Sequence, residues 1–521
     1  MRKWAASCVA VMMQAVLLAA PQPKPKTVTL RPGALAHWNV VIITLDATSA
    51  ERIGTYIPQR KTMPFLDSLG RNGVVYERAY TTVGETGPSH ATILSSAPPA
   101  IHGVAFNGKS LDEKTPWLPS LLHDDGYFTG ASSIAFFLDK SRGFNRGFDR
   151  FIGIPNDAHG RPGAMTTNAA AVDQAMPLLD DLKSRGNKPF FCWIHLKGGH
   201  GPLAPIAPKY IRAFDATLSA AQLPPSLAKA MPGWQGNEEM LLANIDQLTR
   251  WAHAYYDANL MEADDALHRL IDGFRARGLT QNTLFIIMAD HGESFDHALL
   301  QEHGSSPWES TLRIPLILYS DSPRLTPPRV RNRLATITDI APTITDLLGV
   351  APASDFRGAS LLHVRRTEFE AASSGSLTYD ELLRKIVEGK RTADPEQALK
   401  NEIADLERTG NFYWASIALR DGKVLKLIHY GRRNSSRNRS SFIKLYDVIR
   451  DPDENENLLE NGAKMRPTAA ALLADARKRD PYFGVVLSDI AAGVLSNDPS
   501  AFTRGMSKEA IETLRSLGYL H

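Results

Sequence analysis

Four short apolar runs do most to restrict how this chain folds. Asn39-Val40-Val41-Ile42-Ile43-Thr44-Leu45 is rich in β-branched residues and stops at Asp46. Phe190-Phe191-Cys192-Trp193-Ile194 stops at His195, and Leu284-Phe285-Ile286-Ile287-Met288-Ala289 stops at Asp290-His291-Gly292. Pro315-Leu316-Ile317-Leu318-Tyr319 stops at Ser320-Asp321. Such uninterrupted runs belong to strands covered on both faces, the pattern of parallel sheets. Helical spacing occupies the intervals. Tyr256, Leu260, Ala263, Leu267, Leu270, Ile271 and Phe274 share one face, and Ile337 to Leu348 repeat the pattern before Gly349, a natural C-cap. Strands alternating with helices predict an α/β fold, with a large mostly parallel sheet sandwiched by helices.

Ligands of such sheets bind beyond the carboxyl ends of the strands. Asp46, His195, Asp290 and His291 all stand at such ends. A polar residue there also serves as the N-cap of a following helix. Four metal-capable groups at strand ends favour a functional site.

The chain is long enough, at 521 residues, for a large core and an additional module. With 59 Lys+Arg against 56 Asp+Glu, nothing in the charge calls for nucleic acid as a partner. Two cysteines, Cys8 and Cys192, exclude a disulfide scaffold and a Cys-rich zinc module. Arg2-Lys3 followed by the mostly apolar stretch Trp4 to Ala20 reads as an export signal, with an uncleaved membrane anchor as the alternative. Either places the catalytic part in a periplasmic or secreted location. Residues 1–20 are thus signal or anchor, and 21–37 a Pro-rich linker. Residues 38–362 form the catalytic domain, and 363–521 a helical lead-in and C-terminal subdomain. Ala204 to Trp234 reads as a surface insertion. Lys423 to Tyr430 and Ser441 to Val448 read as strands, the first half-exposed. The basic stretch Arg432 to Lys444 reads as a solvated hairpin tip.

Thr86-Gly87-Pro88-Ser89-His90 precedes another apolar stretch, and Pro88 suits the first turn of a helix. Thr86 then lies just before that helix, where free N–H groups favour an anion. Its hydroxyl either caps the helix or attacks a phosphorus or sulfur centre. Asp46, Asp290, His291 and Thr86 together make a mixed oxygen and nitrogen shell for one divalent metal ion, zinc or manganese ahead of calcium or magnesium. Coordination would also activate the alcohol, a poor nucleophile by itself.

The ordered motifs resemble those of the sulfatase family within the alkaline phosphatase superfamily. The resemblance rests on Asn39 through Asp46 with Gly54-Thr55-Tyr56, on Thr86 through His90 with His102-Gly103-Val104, and on His195 through Pro202. It continues through Asn282 to Ser294, His303-Gly304, Arg313 to Leu316, Thr338 to Thr343 and Leu445-Tyr446-Asp447. It implies an ester hydrolase acting on a small anionic substrate and a small C-terminal α+β subdomain with an antiparallel sheet. It also implies that His200 and His303 bind non-bridging oxygens or protonate the leaving group, and that His90, His195 and Lys197 contact the substrate. Glu293 is expected to brace the metal loop, and His102-Gly103 to serve packing and a turn.

The departures from the family pattern carry as much information. The family converts a Cys or Ser at the nucleophile position to formylglycine, whereas this chain has Thr86, which cannot undergo that conversion. His90 stands in place of an Arg, and Ala47 in place of a second Asp. Leu196 stands where a second-metal Asp would be, so one metal is expected. A sulfated formylglycine expels sulfate from a hydrated aldehyde; Thr86 has a single hydroxyl and lacks that route. Phosphate or phosphonate esters are therefore expected to turn over faster than sulfate esters. Two alternatives stay open: an envelope transferase of phosphoethanolamine or glycerophosphate, and a non-catalytic binding protein with a degenerate site.

Overall fold

The computed structural model describes residues 27–104, 107–154, 167–201, 206–214, 245–295, 303–304, 307–331, 333–363, 365–375, 411–420, 422–432 and 442–459, with 465, 468–472 and 475 beyond them. Its centre is an eight-stranded sheet. In chain order the strands are β1 (Asn39–Leu45), β2 (Val74–Tyr76), β3 (Phe128–Ser133), β4 (Arg150–Ile152), β5 (Phe190–Leu196), β6 (Thr283–Ala289), β7 (Leu316–Tyr319) and β8 (Arg329–Val330). Their spatial order is β8-β2-β7-β6-β1-β5-β3-β4. All neighbours are parallel except around β7, which runs antiparallel to β6 and β2. The sheet is therefore α/β and mostly parallel, as the apolar runs predict.

The central strands are buried on both faces, and their residues alternate between two cores. Val40, Ile42, Phe191, Trp193, Ile286 and Met288 face one core. Val41, Ile43, Cys192, Ile194, Phe285 and Ile287 face the other. Helix α1 (Thr86–Ser95) contributes Ala91, Ile93 and Leu94 to the first core. Helices α2 (Asn168–Ser184) and α3 (Ile245–Ala276) cover the second, through Leu178, Leu182, Leu260, Leu267, Leu270 and Phe274. Each fully buried Leu, Ile or Phe contributes about 1.5–3 kcal/mol relative to exposure.

Register places the site. Leu45 pairs with Leu196 on one side and with Ala289 on the other. Asp46, Lys197 and Asp290 therefore leave the sheet at one level. His195 was expected beyond its strand, but it pairs with Thr44 inside the ladder. The strand continues because both nitrogens of its buried ring find partners.

Other segments also differ from expectation. Residues 27–37 were expected to belong to a linker. Instead Thr27–Thr29 pairs in parallel with Arg324–Thr326, and Leu35 is buried. Helix α1 begins at Thr86 itself, with Glu85 as the N-cap residue. Within the lead-in expected to be helical, Glu368–Gly375 is a strand, β9. It joins β10 (Asn411–Arg420), β11 (Lys423–Arg432) and β12 (Phe442–Asp447) in a four-stranded antiparallel sheet. This is the expected C-terminal antiparallel sheet, but β11 is not half-exposed: Val424 through Ile428 are all buried. One face, with Val424 and Ile428, meets Tyr80 and Leu312 of the catalytic part. Lys426 on that face pairs with Glu454 at 2.7 Å and with Glu309 at 3.5 Å. The signal segment, most of the insertion (215–234), the rest of the lead-in (376–410) and most of the basic stretch (433–441) lie outside the described residues.

Candidate metal and nucleophile site

Asp46, Asp290 and His291 bring one ligand atom each within 4.8 Å of one another, all fully buried. Parallel register sets the two carboxylates side by side at the ends of β1 and β6. The His291 ring is oriented by its own loop: Nδ1 lies 2.8 Å from the Gly292 carbonyl oxygen, which can only accept, so Nδ1 carries the proton. The lone pair at Nε2 then faces Asp46 Oδ1 at 3.5 Å, Asp290 Oδ2 at 3.7 Å and Thr86 Oγ1 at 3.4 Å. Asp46 Oδ1 and Asp290 Oδ2 are buried with no hydrogen-bond partner.

Orphaned buried oxygens of this kind call for a cation. Four ligand atoms about 2.0–2.1 Å from zinc in a tetrahedron stand roughly 3.3–3.4 Å apart, close to the observed spacings. The residues present therefore fit one divalent metal. Electrostatics agree. Burial opposes ionisation of Asp46, but His200, His195 and His291 hold its carboxyl well below the usual range. Burial, and then the charge of Asp46, push Asp290 far above it. Two touching carboxylates cannot both ionise without a nearby positive charge. Burial first, and then His303, lower His291 to about 3, so it is neutral as a ligand must be.

Thr86 is the first residue of α1 and not its N-cap, so the helix-cap reading does not hold. No side chain caps α1, and the Thr86 hydroxyl points to His291 Nε2. The expectation of free helix-terminal N–H groups needs correction, because the Gly87 N–H is already bonded to Asn107 Oδ1 at 2.7 Å.

His303 and His200 stand beside the metal position. The rings of His291 and His303 stack at 4.6 Å, and those of His303 and His200 lie 4.9 Å apart. His303 Nδ1 bonds to the buried Glu293 carboxylate at 2.9 Å, so Glu293 braces this histidine directly. His200 Nδ1 donates to the Gly201 carbonyl at 2.6 Å. Lys197 is buried, donates to Asn259 Oδ1 at 2.9 Å, and is lowered by burial to about 8.

His90 and His195 turn their rings inward among buried partners. His90 Nδ1 donates to the Thr86 carbonyl at 2.8 Å, and Nε2 meets Thr44 Oγ1 at 2.9 Å. His195 Nδ1 meets the same hydroxyl at 2.9 Å, and Nε2 meets Asp46 Oδ2 at 3.2 Å. Both rings are fully engaged and buried, so they scaffold the site. His90, His195 and Asp290 also cluster, but all four ring nitrogens of the two histidines already have hydrogen-bond partners. His102 fits its structural reading, buried between Thr92 and the Val104 N–H.

Several contributors have weak sequence signals. Tyr256 Oη donates to the Ala47 carbonyl at 2.7 Å and accepts from the Ser49 N–H at 3.0 Å. It pins Ala47 at φ +49, a left-handed conformation rare for a non-glycine residue. Asn168 clamps Gly198 through both its N–H and its carbonyl. Gly198 has φ +57, and a Cβ there would collide with the Asp46 carbonyl. Thr44 was not singled out either, although a lone hydroxyl within an apolar run is a signal that could have found it.

A family model described as Sulfatase matches residues 38–350. Arylsulfatase K of Xenopus laevis is 22% identical over 452 residues, covering 81% of this chain and 78% of the relative. Among solved structures, BT4656 in complex with its substrate D-glucosamine-2-N,6-O-disulfate superposes with a TM-score of 0.63 at 17% identity, covering 87% of this chain and 98% of that one. The phosphonate monoester hydrolase SpPMH from Silicibacter pomeroyi gives 0.59 at 19% identity, covering 85% and 95%. At these identities the structural matches speak for the fold.

Proposed function

The chain belongs to the sulfatase family of ester hydrolases, and from that membership we propose that it cleaves phosphate or phosphonate esters in preference to sulfate esters, through a covalent intermediate on Thr86. The observation that carries this reading is a threonine with one hydroxyl at the nucleophile position, directed at the ligand nitrogen of His291. A sulfated Thr86 has no second hydroxyl from which to expel sulfate, so release requires attack of water at sulfur. A phosphorylated Thr86 is open to in-line attack of water at phosphorus.

A divalent metal held by Asp46, Asp290 and His291 would lower the pKa of the Thr86 hydroxyl and offset the charge of the ester oxygens. Thr86 Oγ1 forms the bond to phosphorus as the bond to the leaving alcohol breaks. His303, held at Nδ1 by Glu293, presents Nε2 to protonate the departing oxygen. The proton of the Thr86 hydroxyl passes to solvent in this step; in the next, water attacks phosphorus and gives a proton to the now neutral His303 as the bond from phosphorus to Thr86 Oγ1 breaks, and Thr86 takes a proton back from solvent. Lys197 and His200 lie beside the metal residues to bind the non-bridging oxygens. SpPMH, a phosphonate monoester hydrolase by name, shares this fold, which supports the reading.

Matched aryl sulfate, phosphate monoester, phosphodiester and phosphonate monoester substrates test it, with metal measured on the same sample. One equivalent of zinc or manganese is expected, and kcat/KM highest for a phosphorus ester. Faster cleavage of the aryl sulfate than of every phosphorus ester sinks the substrate assignment, and two equivalents of metal sink the single site.

We also propose export, on Arg2-Lys3 and the apolar stretch Trp4 to Ala20. No helix among the described residues is long and apolar enough to cross a membrane. Fractionation of cells making the full chain should place the activity outside the cytoplasm; a full-length cytoplasmic product argues against export.

A further inference from the structure

Thr44 lies on β1, two residues before Asp46, with its side chain on the same sheet face as Trp193 and His195. A hydroxyl offers one proton and two lone pairs, and here all three have partners. The His90 Nδ1 proton is committed to the Thr86 carbonyl, so the neutral ring accepts at Nε2 from the Thr44 hydroxyl. Trp193 Nε1 donates to Thr44 Oγ1 at 3.2 Å. His195 Nδ1 lies 2.9 Å from the same oxygen. His195 Nε2 in turn lies 3.2 Å from Asp46 Oδ2, which completes the chain of contacts. All of these residues are buried.

We propose that Thr44 is a positioning residue whose hydroxyl ties the start of the nucleophile helix to the first metal ligand. Through His90 it holds the Thr86 carbonyl. Through His195 it holds Asp46 Oδ2 and turns Oδ1 toward the metal position. His90 stands where the family pattern has an arginine. The proposal rests on the reading of Asp46 as metal ligand and Thr86 as nucleophile. Outer partners that orient ligands typically carry about 10–100-fold of metal affinity or activity.

The test uses the full, metal-loaded chain with an aryl phosphonate monoester. Thr44→Val keeps the shape and removes the hydroxyl, while Thr44→Ser restores it. Thr44→Val is expected to lower kcat by about 10–100-fold with little change in KM, and to speed loss of zinc or manganese to a chelator. Thr44→Ser is expected to recover most of both. Equal kcat and metal retention in wild type and Thr44→Val overturn the proposal, as does a Thr44→Ser no better than Thr44→Val. Wild-type protein that neither binds metal nor turns over overturns the underlying reading itself.

Discussion

Thr86→Ala is expected to lower kcat by roughly four to six orders of magnitude and leave the fold standing. Losing a covalent nucleophile costs about that much elsewhere, because the remaining groups have nothing to act through. The hydroxyl makes no cap bond in α1, so its removal spares the helix start. Were it a cap, its loss would cost about 0.5–2 kcal/mol of stability and spare activity. Thr86→Ser keeps an oxygen at the same place and should retain measurable turnover. Steady-state kinetics and thermal unfolding of the three proteins separate the cases. Near-wild-type kcat in Thr86→Ala would falsify the covalent mechanism.

Lys426→Ala should destabilise the chain by about 3–5 kcal/mol, although the residue is far from the site in sequence. Breaking a buried ion pair costs this much because the partner charge stays buried without compensation. Lys426 is fully buried, Nζ sits between Glu309 and Glu454, and both carboxylates are buried as well. Tyr80 Oη donates to Glu309 Oε1 at 2.8 Å, and the Glu309 N–H donates to Glu454 Oε2 at 2.7 Å. Burial, with repulsion from Glu309, pushes Glu454 up to about 7 against the pull of Lys426. A folded-state pKa raised above the unfolded value means that ionisation opposes folding. Protonating Glu454 thus relieves the variant, and its deficit should grow as pH rises through about 7. Chemical unfolding at pH 5.5 and pH 8 measures this; a deficit below about 1 kcal/mol at both shows that the cluster does not hold the module.

The parallel core was legible because strands buried on both faces leave an unbroken apolar signature. Asp46, Asp290 and His291 were legible because they interrupt that signature at its carboxyl ends. His195 shows the limit: a polar residue ended the apolar run, but the ladder went on through it to Leu196. Only three-dimensional partners reveal that its nitrogens are satisfied. The same holds for His90, assigned to the substrate by motif position and found bonded to Thr86 and Thr44. Lys426 lies on a strand that read as half-exposed, and nothing local marks it as buried. Its partners lie 117 and 28 positions away, beyond the reach of any local pattern.

Gly292 lies against the short helix Glu309–Leu312: its N–H donates to the Thr311 carbonyl at 2.7 Å, and a Cβ would collide with the Ser310 carbonyl. The turn carrying Asp290 and His291 thus rests on a helix whose first residue answers to Lys426. The two halves of the chain are for that reason poor candidates for shuffling between relatives. A C-terminal sheet borrowed from a cousin without the lysine would leave the Glu309 charge stranded beneath the metal turn. Positions 309, 426 and 454 are expected to drift through evolution as a set, and a lineage that loses one should have replaced the other two.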